Sequence, residues 1–323
     1  MTLCSAAFRE GDAEQTCPHG RSDARMEGLA LDLGAVSARW RERIEARLAD
    51  YLAPRADCPA VLRDAMAYSL LSGGKRLRPL LVLLACEACG GEGESALPAA
   101  CALEMVHTYS LIHDDLPAMD NDDFRRGRPT SHKVFGEALA ILAGDALLTR
   151  AFEILAREVT PPEVAAACCA DLAAAAGDCG MVAGQVADWQ AEQTGVREVA
   201  ELEGIHRRKT GKLIACGLLL GGRIARAADP QLSWLEDYGQ KIGLAFQIID
   251  DLLDVSGDPV KLGKGVQKDA QHGKLTYPGL LGEAESRRRA DQLVDEAGRI
   301  AERFGPRGRL LKELAQFVGK RDH

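Results

Sequence analysis

The stretch ALEMVHTYSLIHDDLPAMD, residues 102–120, runs from apolar, helix-patterned sequence straight into acid. Residues 99–112 read as a helix, and Asp114 and Asp115 stand where it ends. Carboxylates are disfavoured there, because the unpaired carbonyls of a helix C-terminus carry partial negative charge. A second stretch repeats the arrangement: residues 242–249 lead into Asp250-Asp251-Leu252-Leu253-Asp254. Adjacent acids add like-charge repulsion, and a cation is the simplest relief. An all-oxygen ligand set points to Mg²⁺, which keeps water and phosphate oxygens in its shell. The first expectation is an enzyme that handles a diphosphate.

Helix geometry separates the two clusters. Asp250 and Asp254 differ by about 40° of rotation and about 6 Å of rise, so both can face one metal, while Asp251 points about 100° away. Asp114 and Asp120 are about 240° out of phase on an unbroken helix. They can share a metal only if the helix breaks, and Pro117 supplies the break by disfavouring helical geometry at Leu116 and removing a donor. Either cluster alone reads equally well as a solvated acidic helix end; the pair, beside the basic motifs, does not.

The third signal is GGKRLRP, residues 73–79. Two glycines let the backbone approach an anion, and Lys75 and Arg78 stand at a helix start, which adds partial positive charge. The spacing is not that of a Walker P-loop. His107 lies about two turns before Asp114 and shares its helix face. Arg125 and Arg126 follow Asp120 and can reach metal-bound phosphates. Lys209-Thr210, Lys264 and Lys274 add cations that, one by one, read as solvated side chains.

Alanine and leucine dominate the 323 residues and aromatic residues make up 5%, which favours an all-α protein. A net charge of −8 argues against a nucleic-acid partner. The ten cysteines follow no disulfide frame, and Cys86 and Cys89 sit inside a helical run, so reduced thiols in a cytoplasmic protein are expected. No stretch reaches the roughly 18 apolar residues of a membrane span. Residues 1–34 lack periodicity and read as a disordered tail, with Met26 a second possible start; residues 35–323 form one domain.

Along that domain the expected helices cover residues 36–52, 59–71, 78–89, 98–112, 133–156, 164–189, 202–220, 230–253 and 286–304. The sum is one bundle of about ten helices, without repeats or β-rich alternation.

Taken together, GGKRLRP (73–79), ALEMVHTYSLIHDDLPAMDNDDFRRGRPTSH (102–132), AGDALL (143–148), GQVADW (184–189), KTGKL (209–213), GLAFQIIDDLLDVSGD (243–258), LGKGVQKD (262–269) and HGKLTYP (272–278) resemble the trans-isoprenyl diphosphate synthases. The first acidic motif, with Pro117 and Ala118 inside it, is similar to that of the bacterial farnesyl and plant geranylgeranyl types. The resemblance implies a helical bundle around a central active-site cavity, a homodimer, and a Mg²⁺-dependent condensation of isopentenyl diphosphate with dimethylallyl or geranyl diphosphate. It implies about three Mg²⁺ per site, held by Asp114, Asp120 and Asp250 with Asp254 in support. Arg125, Lys209 and Lys264 would hold the allylic diphosphate, and Lys75, Arg78, His107 and Arg126 that of isopentenyl diphosphate, with Lys274 near the entrance. Lys209, the Thr210 carbonyl and Gln247 would line the carbocation pocket. The family's chain-length positions fall on Tyr109 and Ser110. An aromatic at the first of them implies farnesyl diphosphate; geranylgeranyl diphosphate is the alternative. A terpene synthase on the same fold would lack the motif of Lys75 and Arg78. A catalytically silent partner subunit would have lost a motif residue, and none is lost here.

Overall fold

The apolar stripe Val36, Trp40, Ile44 and Leu48 is buried along α1 (Leu33–Tyr51), whose N-terminus is capped by the Asp32 carboxylate accepting from the Ala35 N–H at 2.8 Å. The structure is a computed structural model that describes residues 32–194, 198–256 and 276–321. The expected tail falls outside these as far as residue 31, and the first helix begins slightly before the expected domain boundary.

The chain continues as α2 (Ala60–Leu70), α3 (Leu77–Ala88) and α4 (Gly93–Asp114). A two-residue hairpin follows, β1 (Phe124–Arg125) pairing antiparallel with β2 (Arg128–Pro129). Then come α5 (Ser131–Phe135), α6 (Glu137–Glu158), α7 (Pro162–Ala176), α8 (Met181–Thr194) and α9 (Val199–His206). A π-turn over Arg207–Gly211 joins α9 to α10 (Lys212–Ile224). The last helices are α11 (Asp229–Ser256), α12 (Tyr277–Leu281), α13 (Glu283–Ala301) and, after a 3₁₀ turn over Glu302–Gly308, α14 (Arg309–Gly319).

The fold is all-α, as expected. Helix α4 is buried almost all round, with Ala96 to Val106 continuously inside, and packs against α3, α6 and α10. A helix apolar on every side belongs at the centre of a bundle.

Four expected boundaries move. Helix α4 starts at Gly93, so Pro98 lies inside it and removes one backbone donor near the start. Gly136, at φ 82°, separates α5 from α6. Residues 177–180 separate α7 from α8 within what alanine content makes look continuous. The π-turn interrupts the expected helix over 202–220. The hairpin, α12 and α14 lie outside the expected helices. By length and mean hydropathy the stretch Pro162–Ala191 passes for a membrane span, against the sequence expectation. It is instead two helices; α7 packs on α6 and α10, and α8 on the π-turn.

Candidate active site

Helix α4 ends at Asp114, and Asp115 caps it. The chain then turns back over the exposed Pro117, so that the Asp120 N–H donates to the Asp114 carbonyl at 2.8 Å. The break that brings Asp120 back beside Asp114 is therefore formed. The second cluster lies in the last two turns of α11. Asp250 accepts an ion pair from Arg321 at 3.1 Å, and Asp254 is buried one turn on. Asp251 points elsewhere: its carboxylate accepts the Tyr277 N–H at 2.9 Å and lies 3.4 Å from His206 Nε2.

A cavity of about 670 Å³ opens beside Asp114. Arg78, His107, Asp114, Lys209 and Thr210 supply polar groups, and the remaining wall is mostly apolar. A mostly apolar chamber with a few convergent polar groups is the usual form of a ligand site. Tyr109 and Ser110 both line it. The helical wheel leaves Tyr109 on the flank; its large ring nevertheless reaches the cavity, because the wall wraps round α4 as far as His113 and Leu116. The Ser110 hydroxyl turns back to the His107 carbonyl at 2.8 Å.

Burial, with Asp120 and Asp115 adding repulsion, pushes the Asp114 carboxyl up to about 6 against the pull of Lys209 and Arg125. Burial and the surrounding arginines, Arg78 first, hold His107 well below the ordinary imidazole range, so it is neutral. Arg78 Nη1 lies 3.2 Å from His107 Nε2. A guanidinium only donates, so Nε2 accepts and the ring proton sits on Nδ1. Burial also disfavours the charged forms of Lys75, Arg78 and Arg126, with a neighbouring arginine adding to each. Asp250 pulls the other way on Lys75 and Arg78, which places the second acidic cluster in the same field. Arg78 Nε is buried without a hydrogen-bond partner among the described residues. A buried donor without a partner is costly, and an anion bound there would satisfy it.

Several of the expected phosphate ligands have protein partners. Arg125 is bound side-on by Asp115, with Nε at 2.8 Å and Nη2 at 2.7 Å from Oδ1. Arg126 donates to Ser72 Oγ at 3.2 Å and to the Gly73 carbonyl, lying across Gly74, where a Cβ would come within 2.9 Å of its guanidinium. Gln247 is half-buried on α11, one turn before Asp250 and outside the cavity wall. Lys264 and Lys274 lie outside the described residues.

Three functional side chains escaped the sequence reading. Gln185 Nε2 donates to Asp114 Oδ1 at 2.6 Å, and Asp188 Oδ2 accepts from Lys209 Nζ at 2.7 Å. Both belong to α8, where polar residues three apart in an apolar helix share a face; that spacing was the available signal. Arg76, within GGKRLRP, is buried with φ 49°. It pairs with Glu45 at 2.7 Å and Glu104 at 2.6 Å, and anchors the glycine turn to α1 and α4.

A family model described as "Polyprenyl synthetase" matches residues 59–303. The chain belongs to the polyprenyl synthetase family. It is 47% identical over 286 residues to farnesyl diphosphate synthase of Geobacillus stearothermophilus, covering 88% of this chain and 96% of that one. An apo FPP/GFPP synthase from Zymomonas mobilis superposes with TM-score 0.80 at 39% identity, covering 89% and 98% of the two chains. A geranyltransferase from Helicobacter pylori, complexed with magnesium and isoprenyl diphosphate, superposes with TM-score 0.78 at 33% identity, covering 90% and 97%. Membership makes the protein a prenyltransferase of an all-α family that uses divalent metal. Asp114 of the first acidic motif and Arg78 of the basic glycine turn both line the cavity.

Proposed function

We propose that this protein is a short-chain trans-prenyltransferase that joins isopentenyl diphosphate to dimethylallyl and then geranyl diphosphate, with farnesyl diphosphate as the main product. The observation that carries this reading is the mouth of the cavity. Cations that disfavour one another, with a buried unsatisfied donor on Arg78, stand near an acid pushed up to about 6 by burial and other acids. A diphosphate with its cations would add counter-charge to both.

The acids fit hard divalent cations. Asp114 and Asp120 would hold two Mg²⁺ ions, and Asp250, with Asp254, a third. Among the described residues no three acids, histidines or cysteines already converge on one point. That suits an ion that fills its shell with water and substrate oxygens. Bound there, Mg²⁺ would neutralise the departing diphosphate.

The chain's own residues do the remaining work. Lys209, held by Asp188, and Arg125, held by Asp115, face the allylic diphosphate, with Lys264 from outside the described residues. Lys75, Arg78, His107 and Arg126 hold the second diphosphate, with Lys274 near the entrance. The allylic C–O bond breaks and its electron pair leaves with the diphosphate. The π electrons of isopentenyl diphosphate form the new C–C bond, a proton passes to the released diphosphate, and a double bond remains. Lys209 and the Thr210 carbonyl lie beside the carbocation, with Gln247 on α11 next to the cavity wall, and the apolar wall keeps water away. Tyr109, with the small Ser110 beside it, stops the chain. The enzyme acts in the cytoplasm as a homodimer.

The test is direct. The full chain with Mg²⁺, radiolabelled isopentenyl diphosphate and each allylic starter should yield C15 alcohols after phosphatase treatment. A predominance of C20 would make it a geranylgeranyl diphosphate synthase. Absence of any condensation would overturn the reading.

A further inference from the structure

His113 occupies the last full turn of α4, one residue before Asp114, and none of the roles above uses it. Its ring meets Tyr109 edge to face, with centroids 5.4 Å apart and planes at 89°. Its Nε2 lies 3.1 Å from the Ile141 carbonyl of α6. A carbonyl only accepts, so Nε2 carries the proton and donates. The ring rests directly on the α6 backbone at Gly144. A Cβ there would stand 2.3 Å from Nε2 and 2.6 Å from Cδ2, closer than any real contact, so a larger residue would displace the imidazole from this seat. Both rings line the cavity.

Tyr109 turns about two side-chain torsions, and an unsupported ring yields when a growing apolar chain presses on it. Here the side towards α6 is filled by His113. That ring is itself held at three points: the end of α4, the Ile141 carbonyl and the floor left by Gly144. We infer that His113 and Gly144 form a brace that fixes Tyr109 across the cavity, making His113 a positioning residue for product length. The inference rests on the reading of Tyr109 as the chain stop. It also gives the glycine of AGDALL a function.

The measurement is the ratio of C20 to C15 product for Tyr109→Ala, His113→Ala, the double variant and Gly144→Ala, with thermal unfolding beside it. Tyr109→Ala should lengthen the product. His113→Ala should raise the ratio about tenfold, the factor that one edge-on ring contact with one hydrogen bond exerts on a conformational population. The double variant should match Tyr109→Ala alone, since the brace then has nothing to hold. Gly144→Ala should alter the ratio with both rings retained, and it carries the test if His113→Ala does not fold. Parental product from His113→Ala or Gly144→Ala, while Tyr109→Ala lengthens, would overturn the brace and leave the stop standing; a purely structural histidine would lower only the melting temperature. Further lengthening in the double variant would make His113 a second stop and overturn the brace too. Unchanged C15 from Tyr109→Ala would instead remove the stop itself.

Discussion

At the scale of single residues, the site is governed by what burial does to charge. The Asp114 carboxyl titrates at about 6 in the folded protein, above the roughly 3.9 of an unfolded aspartate. The folded state therefore binds more protons between those values, and this group lowers stability as pH rises from about 4 to about 6. Above that range the charged carboxylate is a standing penalty, which a bound cation relieves. Mg²⁺ should accordingly raise the melting temperature more at pH 8 than at pH 5, where protons compete for the same oxygens. Equal shifts at the two pH values would show that Asp114 is not a ligand. Asp114→Ala and Asp250→Ala should each lower turnover by orders of magnitude while the helical circular dichroism signal stays nearly intact; near-normal turnover in either would remove the metal assignment. Lys75→Ala and Arg78→Ala should chiefly raise KM for isopentenyl diphosphate, because they bind its unreactive end almost equally in ground and transition states. Initial rates with each substrate varied in turn while the other is saturating decide this. A rise confined to the allylic KM would mean that the two pockets are reversed.

At the scale of elements, the least expected feature is the π-turn at Arg207–Gly211, which carries Lys209 and Thr210 to the cavity. Single π-turns inside helices recur at functional sites, since the extra residue redirects side chains. Helix α8 meets this turn backbone to backbone. A Cβ on Gly184 would stand 2.2 Å from the Lys209 nitrogen and 2.5 Å from its Cα. Gly184→Ala must push the two elements apart, loosening the Asp188–Lys209 pair and Gln185 on Asp114. It should destabilise by about 1–3 kcal/mol, the usual range for overpacking, and reduce turnover as well. Gly204 in α9 is the control. Its Cβ would meet only the end of Arg208, at 3.7 Å, so Gly204→Ala should be neutral or stabilise by about 0.4–1 kcal/mol. Urea midpoints for the two variants test the contrast, and similar midpoints would refute it.

Over the whole molecule, Arg76 ties α1, α3 and α4 together beneath the site. Its guanidinium is buried between Glu45 and Glu104 and also donates to the Leu70 carbonyl at 2.7 Å. Removing one partner of a buried pair leaves the other charge without compensation, at about 3–5 kcal/mol. Arg76→Ala should therefore lower global stability by that order in denaturant unfolding, whereas Lys75→Ala next to it should not. An Arg76 variant as stable as the parent would show that Glu104 finds another partner.

Much of this was legible in one dimension. Alanine and leucine content with helical periodicity announced the bundle. The run of acid behind an apolar helix announced a cation site, and Pro117 announced the turn that returns Asp120 to Asp114. These are local properties: they follow from propensity, from the loss of one backbone donor, and from repulsion between neighbours in the chain. Other features arose only when distant segments met. No local signal distinguishes Arg76, locked to Glu45 and Glu104, from Lys75 and Arg78 beside it. The pairing of Arg125 with Asp115, of Gln185 with Asp114, and of Lys209 with Asp188 depends on which helix faces which. The seat of His113 on Gly144 joins residues whose proximity no periodicity encodes. Helix propensity is a short-range balance of backbone entropy and hydrogen bonding, so its signal can be read along the sequence. Burial, and with it the charge state of Asp114 and the support of Tyr109, is a property of the packed bundle, because desolvation and contact exist only once the helices have closed around the cavity.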